Sequence, residues 1–226
     1  MNEDVRIFSL GESALTVEFG TTISEKLNKQ AIALADHFVE HPFPGFIESV
    51  PAYASATIFY DPIVVRQEFE HFNTAFAAVS HVVNLALVKV GDSDISKSRL
   101  IEIPVRFANG GEFDLDHVAD HNHISATEVI AVFTSTTYRV YMLGFLPGFS
   151  YMGEVDQRIA TPRKETPRTN VPAGSVGIAG RQTGIYSLDS PGGWQIIGRT
   201  DVEMFSPNAE SPCYLQPGDS IKFVSV

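Results

Sequence analysis

Residues 144–153, GFLPGFSYMG, and residues 161–200, TPRKETPRTNVPAGSVGIAGRQTGIYSLDSPGGWQIIGRT, decide how this chain is read. Short apolar steps, Val176-Gly-Ile178, Gly184-Ile-Tyr186 and Trp194-Gln-Ile-Ile197, stand between closely spaced glycines and prolines. None keeps a helical period, and each is too short to be a helix. Short strands punctuated in this way are the pattern of a closed or nearly closed β-barrel with long loops. The pattern extends to the C-terminus, where the turn Gln216-Pro-Gly-Asp219 leads into a last strand over residues 221–226. Upstream, residues 100–107 and 138–143 are strand-like. Between them come a turn at Asn109-Gly-Gly111, a short helix over residues 114–120 and a second helix opened at Ser125. Ser125-Ala-Thr-Glu128 is a capping box, and Ile124 with Val129 makes the hydrophobic staple around it.

The first part of the chain is patterned differently. Residues 5–10 and 14–19 are β-type runs about Gly11 and predict a hairpin. Ser24 opens a helix with Leu27, Ala31, Leu34, Ala35 and Phe38 on one face, broken at His41-Pro-Phe-Pro-Gly45. Residues 46–50 and 53–60 are strands, and Asp61-Pro62 starts another helix. Phe69, Phe72, Phe76, Val79 and Val83 recur at three and four, a buried helix face, and residues 85–90 are again β-like. This order predicts an α+β domain of the split βαβ, ferredoxin-like type over residues 1–92. A polar, acidic loop at 91–97 joins it to the barrel domain, residues 93–226.

Of 226 residues, 16 are Lys or Arg and 27 are Asp or Glu, a net charge of -11. Such a chain is a poor general ligand for nucleic acid or anionic membranes, whose binding requires neutralising phosphates. The single cysteine, Cys213, excludes an intrachain disulfide. With no secretory pattern at the start and no apolar run near the roughly 20 residues of a spanning helix, a cytoplasmic protein is expected. The charge is uneven: residues 1–139 carry -10 and residues 140–226 carry -1.

The exception to the acidity lies in the barrel. Arg158, Arg163, Lys164, Arg168, Arg181 and Arg199 face only Glu165 and Asp189 between residues 158 and 199, a local excess of +4. Arginine suits planar recognition of a carboxylate or phosphate, and the two Pro-Arg steps hold Arg163 and Arg168 on stiff backbone. Phe145, Phe149, Tyr151, Tyr186 and Trp194 are candidate walls of a pocket for a small anionic ligand. The same residues also fit a barrel whose loop arginines simply pair with acids of the first half. His117 and His121 share a helix face by spacing, but without an intervening Glu or a nearby Cys no metal site is expected. Ser150 and Ser175 each have one, not both, of the flanking glycines of a nucleophile elbow, and there is no phosphate-binding GxxxxGK[ST] loop.

GFLPGFSYMG, PRKETPR, VPAGSVGIAGRQTGIY and SPGGWQIIGRT resemble the KipI / allophanate hydrolase subunit 1 family. So do LGESALTVEFG, the region from Val50-Pro51 to Asp61-Pro62, and IEIPV at 101–105, so that the resemblance covers nearly the whole chain. It implies a small α/β domain followed by a cyclophilin-like β-barrel. The best-defined bacterial role in the family is the B subunit of ATP-dependent 5-oxoprolinase, which turns 5-oxo-L-proline, ATP and water into L-glutamate, ADP and phosphate. Implied with it are two partners, a C subunit (KipA-like) and an A subunit (LamB/YcsF-like), and ATP with Mg2+ acting at the level of the complex. The ligand cleft expected from the resemblance and the residue types is Phe145, Phe149, Tyr151, Arg163, Arg168, Gln182, Thr183, Trp194 and Arg199. Arg163 and Arg168 are its anion binders and Gln182 a polar orienter; no residue stands out as a general base. Two other roles occur in the family: a KipI-type inhibitor of a sporulation histidine kinase, and a subunit related to allophanate/urea carboxylase.

Overall fold

The computed structural model describes residues 5–90, 98–108, 111 and 113–226. The chain divides into two compact units, Met1–Lys97 and Ser98–Val226. The boundary expected between residues 92 and 93, the loop at 91–97 and the Asn109-Gly110 part of the expected turn lie outside the described residues.

In the first unit, β1 (Arg6–Ser9) and β2 (Ala14–Glu18) form the expected hairpin, with Ile7 opposite Val17. Helix α1 (Glu25–Glu40) starts where Ser24 accepts a hydrogen bond from the Leu27 N–H at 3.2 Å. β3 (Phe46–Pro51) and β4 (Ser55–Tyr60) follow, then α2 (Pro62–Glu68), capped by Asp61, and α3 (Ala75–Val90). The sheet order is β1-β2-β4-β3, and every neighbouring pair is antiparallel. Leu15, Val17, Ile58 and Tyr60 of the sheet close a core with Leu34, Phe38, Val79 and Val83 of the helices.

This corrects the last strand of the split βαβ, ferredoxin-like expectation. Residues 85–90 are not a strand but the end of α3. Val83 and Ala86 continue its buried face, and no Gly or Pro interrupts the chain before Gly91. With no strand after that helix among the described residues of this unit, the expected last strand is missing, while α1 carries the chain from β2 past β4 to β3, so that β2 and β3 run in the same direction with β4 antiparallel between them. The aromatic face is also divided: Phe69 caps α2 and Phe72 lies in the turn before α3.

The second unit is a closed barrel in the order β10-β7-β6-β13-β5-β12-β9. Its strands are β5 (Leu100–Phe107), β6 (Thr137–Leu143), β7 (Ser150–Gly153), β9 (Ser175–Ala179), β10 (Gln182–Ile185), β12 (Gln195–Arg199) and β13 (Ser220–Ser225). β13 runs parallel to β5, and β10 pairs with β9 to close the ring. β8 (Arg168–Val171) and β11 (Ser190–Gly192) form a separate two-stranded ribbon. α4 (Leu115–Asn122) and α5 (Ala126–Ser135) stand between β5 and β6; the capping box of α5 is complete in both directions. Ile103, Val140, Ile178, Ile197 and Phe223 form one apolar cluster with Leu115, Val129 and Phe133 of these helices. A second cluster is built on Phe149, Tyr186 and Trp194.

Candidate functional site

Gly177 on β9 lies opposite Gly184 on β10, leaving a patch of barrel wall without side chains. A Cβ on Gly184 would stand 2.6 Å from the Ser150 carbonyl oxygen and 3.1 Å from the Phe149 and Trp194 rings. The missing side chain is what allows aromatic rings to lie on the strands. Phe149 sits at their centre, edge-to-face with Tyr151 at 4.9 Å, Tyr186 at 5.2 Å, Trp194 at 5.4 Å and Phe145 at 5.6 Å. Edge-to-face contact is the favoured geometry for rings that are not offset-stacked.

The segment GFLPGF wraps tightly to present two of these rings. The Leu146 N–H donates to the Gly144 carbonyl at 2.8 Å, and the Phe149 N–H to the Leu146 carbonyl at 3.0 Å. Two residues of the turn are left-handed, Gly148 at φ +76° and Phe145 at φ +68°. Gly148 suits that conformation and also lacks room for a side chain, since a Cβ there would meet the Met204 carbonyl oxygen at 2.7 Å. Phe145 does not suit it, and holding a bulky side chain there costs about 1–3 kcal/mol. Phe145 is nevertheless 62% exposed.

These rings line a cavity of about 290 Å³ with Arg163, Lys164, Pro167, Pro191, Gly192 and Gly193. The Arg163 guanidinium lies over the Trp194 ring, 5.7 Å from its centroid. Among the described residues it makes no hydrogen bond or ion pair with any side chain or carbonyl. Burial pushes the Tyr186 phenol above its ordinary value, against a hydrogen bond from the Trp194 backbone and the nearby Arg163 charge, so it stays neutral.

Arg168 is engaged elsewhere. Its Nη2 donates to both carboxylate oxygens of Asp114 at 2.6 Å, and Lys164 Nζ donates to Oδ1 at 3.0 Å. Asp114 Oδ2 also accepts the Ile196 N–H at 2.7 Å. Burial would raise the Asp114 pKa, but the hydrogen bonds from Arg168, Lys164 and Ile196 hold it below the ordinary carboxylate value. Asp114 thus ties the 164–168 segment to β12 and leaves Arg163 as the cation over the cavity.

Of the nine residues expected in the cleft, Phe145, Phe149, Tyr151, Arg163 and Trp194 line the cavity, and Arg168, Gln182, Thr183 and Arg199 do not. Thr183 is fully buried and its hydroxyl donates to the Gly177 carbonyl at 2.9 Å. Arg199, at the end of β12, donates through Nε to the Ala173 carbonyl at 3.1 Å. Gln182 lies at the start of β10, part-buried and hydrogen-bonded or otherwise engaged. Lys164, Pro167 and the 191–193 segment join the lining beyond the expected set, and of these Lys164 adjoins Arg163 in the PRKETPR motif. Asp114 has no signal in the sequence, because its partners lie about fifty residues downstream. The His117 and His121 rings lie 6.4 Å apart on α4, and among the described residues no three His, Cys, Asp or Glu side chains gather as metal ligands.

Residues 5–215 match the family model of the carboxyltransferase domain, subdomains C and D. The chain belongs to that carboxyltransferase-domain family. Within it, the chain is 45% identical over 224 residues to the B subunit of 5-oxoprolinase from Bacillus subtilis (strain 168), covering 98% of this chain and 92% of that one. It is 36% identical over 220 residues to the B subunit of 5-oxoprolinase from Escherichia coli O157:H7, covering 97% and 95%. Among solved structures it superposes on TTHA0988 with a TM-score of 0.80 at 36% identity, covering 98% of this chain and 40% of that longer one. The carboxyltransferase-domain fold in this chain has no helix, among the described residues, long and apolar enough to cross a membrane.

Proposed function

We propose that this chain is the non-autonomous B subunit of an ATP-dependent 5-oxoprolinase, a cytoplasmic complex that opens 5-oxo-L-proline to L-glutamate. The observation that carries the reading is identity of 36% and 45% to two named B subunits over nearly the full length of both partners. The cavity is consistent with it. A lactam is a poor electrophile, and opening one requires activation of its oxygen and a group that delivers water. The cavity lining has aromatic rings and two cations but no carboxylate, imidazole or thiol. Two cations beside aromatic rings suit holding a small anion, with further catalytic groups supplied by the C and A subunits.

The lining does not fit a magnesium-bound nucleotide either. Asp114, which backs it through Lys164, is already bonded to two cations. No step through ATP is therefore assigned to this chain's residues. The test is to combine the purified chain with its C and A partners and follow ATP-dependent glutamate release. Activity of the full set, lost on omitting this chain, supports the reading. A folded, complete set that releases no glutamate overturns it.

A further inference from the structure

We infer that Phe145 is the closing face of the cavity: a small cyclic carboxylate binds with its ring between Phe145 and Trp194 and its carboxylate on Arg163. The inference rests on the 5-oxoprolinase reading for the choice of ligand, but its argument is geometric.

Phe145 combines three features that a packing residue would not. It is a bulky residue in a left-handed conformation, it is mostly exposed, and it lines the cavity. The surrounding hydrogen bonds at Gly144, Leu146 and Phe149 over-determine the turn, so the conformation is imposed rather than accidental. Unfavourable backbone conformations retained in this way cluster at ligand clamps. Among the described residues the ring's aromatic neighbour is Phe149, nearly perpendicular to it at 5.6 Å, and the 62% exposure of Phe145 leaves surface for a flat ligand.

The opposite wall supplies orientation. Arg163 lies across Trp194 and is not neutralised by a described neighbour, whereas Lys164 and Arg168 are held by Asp114. A guanidinium parked on an indole keeps its N–H edge available for a carboxylate. Only a ligand with a compact ring and an anionic substituent uses both walls at once. 5-Oxo-L-proline meets that description, 2-pyrrolidone lacks the anion, and an acyclic anion lacks the ring.

Trp194 is the one tryptophan in the chain, so its emission reports this cavity directly. The experiment titrates the full chain with 5-oxo-L-proline, following Trp194 emission and binding heat together, and repeats the titration with 2-pyrrolidone. In parallel, KM and kcat are measured in the complex with partner subunits. Phe145→Gly is expected to weaken 5-oxo-L-proline binding about tenfold while raising the melting temperature of the free chain, because glycine relieves the left-handed backbone. Arg163→Gln is expected to weaken 5-oxo-L-proline about 10- to 100-fold and leave 2-pyrrolidone binding unchanged. In the complex both variants raise KM more than they lower kcat. A lower melting temperature for Phe145→Gly with unchanged binding would make Phe145 a packing residue and overturn the inference. So would unchanged KM in an active complex. A wild-type complex without activity defeats the 5-oxoprolinase reading instead, and binding by the chain alone then still decides this one.

Discussion

Asp114 shows what the fold does to a charge count. Along the sequence, six basic residues meet two acids between positions 158 and 199. In three dimensions Asp114, Glu154 and Asp156 come from outside that window to pair with Arg168 and Lys164, Arg181, and Arg158. The excess of +4 contracts to +1, and Arg163 and Arg168, indistinguishable as Pro-Arg steps, separate into a cavity residue and a strut. That distinction is not legible in the sequence, because pairing across fifty residues leaves no local pattern. The strut carries a prediction. Asp114→Asn leaves two cations facing a neutral amide and should cost about 2–4 kcal/mol, at the lower end because Arg168 and Lys164 keep about a third of their side-chain exposure. The pH dependence follows from the depressed folded value. Stability from the Asp114 carboxylate is complete above its ordinary value of 3.8 and is lost as pH falls through the lower folded value. Acid titration of denaturation midpoints should therefore show a loss below about pH 4 in the wild type that is reduced in Asp114→Asn. Parallel acid profiles for the two proteins would refute the role.

At the scale of elements, what is legible has a local physical cause. Ser24, Asp61 and Ser125 announce helix starts because a cap is a contact within three residues, and all three caps are made. The barrel is legible from Gly and Pro punctuation, since turns too are local. Residues 85–90 mislead because Leu, Val and Val satisfy β propensity, while the tertiary fold uses them on a helix. The two readings bury different side chains. In a strand, residues 86, 88 and 90 share a face; in α3, Ala86 is buried while Leu85 is 54% and Val88 76% exposed. Val88→Lys should change unfolding free energy by within about 0.5 kcal/mol, whereas Ala86→Glu should lose more than about 2 kcal/mol. Urea denaturation of the two variants measures both, and equal losses would contradict the helix.

For the whole molecule, the net charge of -11 and the unneutralised cation over the cavity act on an anionic ligand in opposite directions. The guanidinium acts at contact distance, where salt screens little; the acidic surface acts across the molecule, where salt screens strongly. The Debye length shrinks from about 30 Å at 10 mM to about 8 Å at 150 mM, so the first salt added removes repulsion before it weakens the contact. Affinity for 5-oxo-L-proline should thus tighten, by about twofold, as ionic strength rises to about 150 mM, and weaken only beyond that. Uncharged 2-pyrrolidone should show neither change, which separates the electrostatic effect from any effect of salt on the fold. Calorimetric titrations across that range make the measurement. A dissociation constant that climbs steadily from the lowest salt would mean that the site is governed by a basic cluster after all, with Lys164 and Arg168 released from Asp114 when the ligand enters.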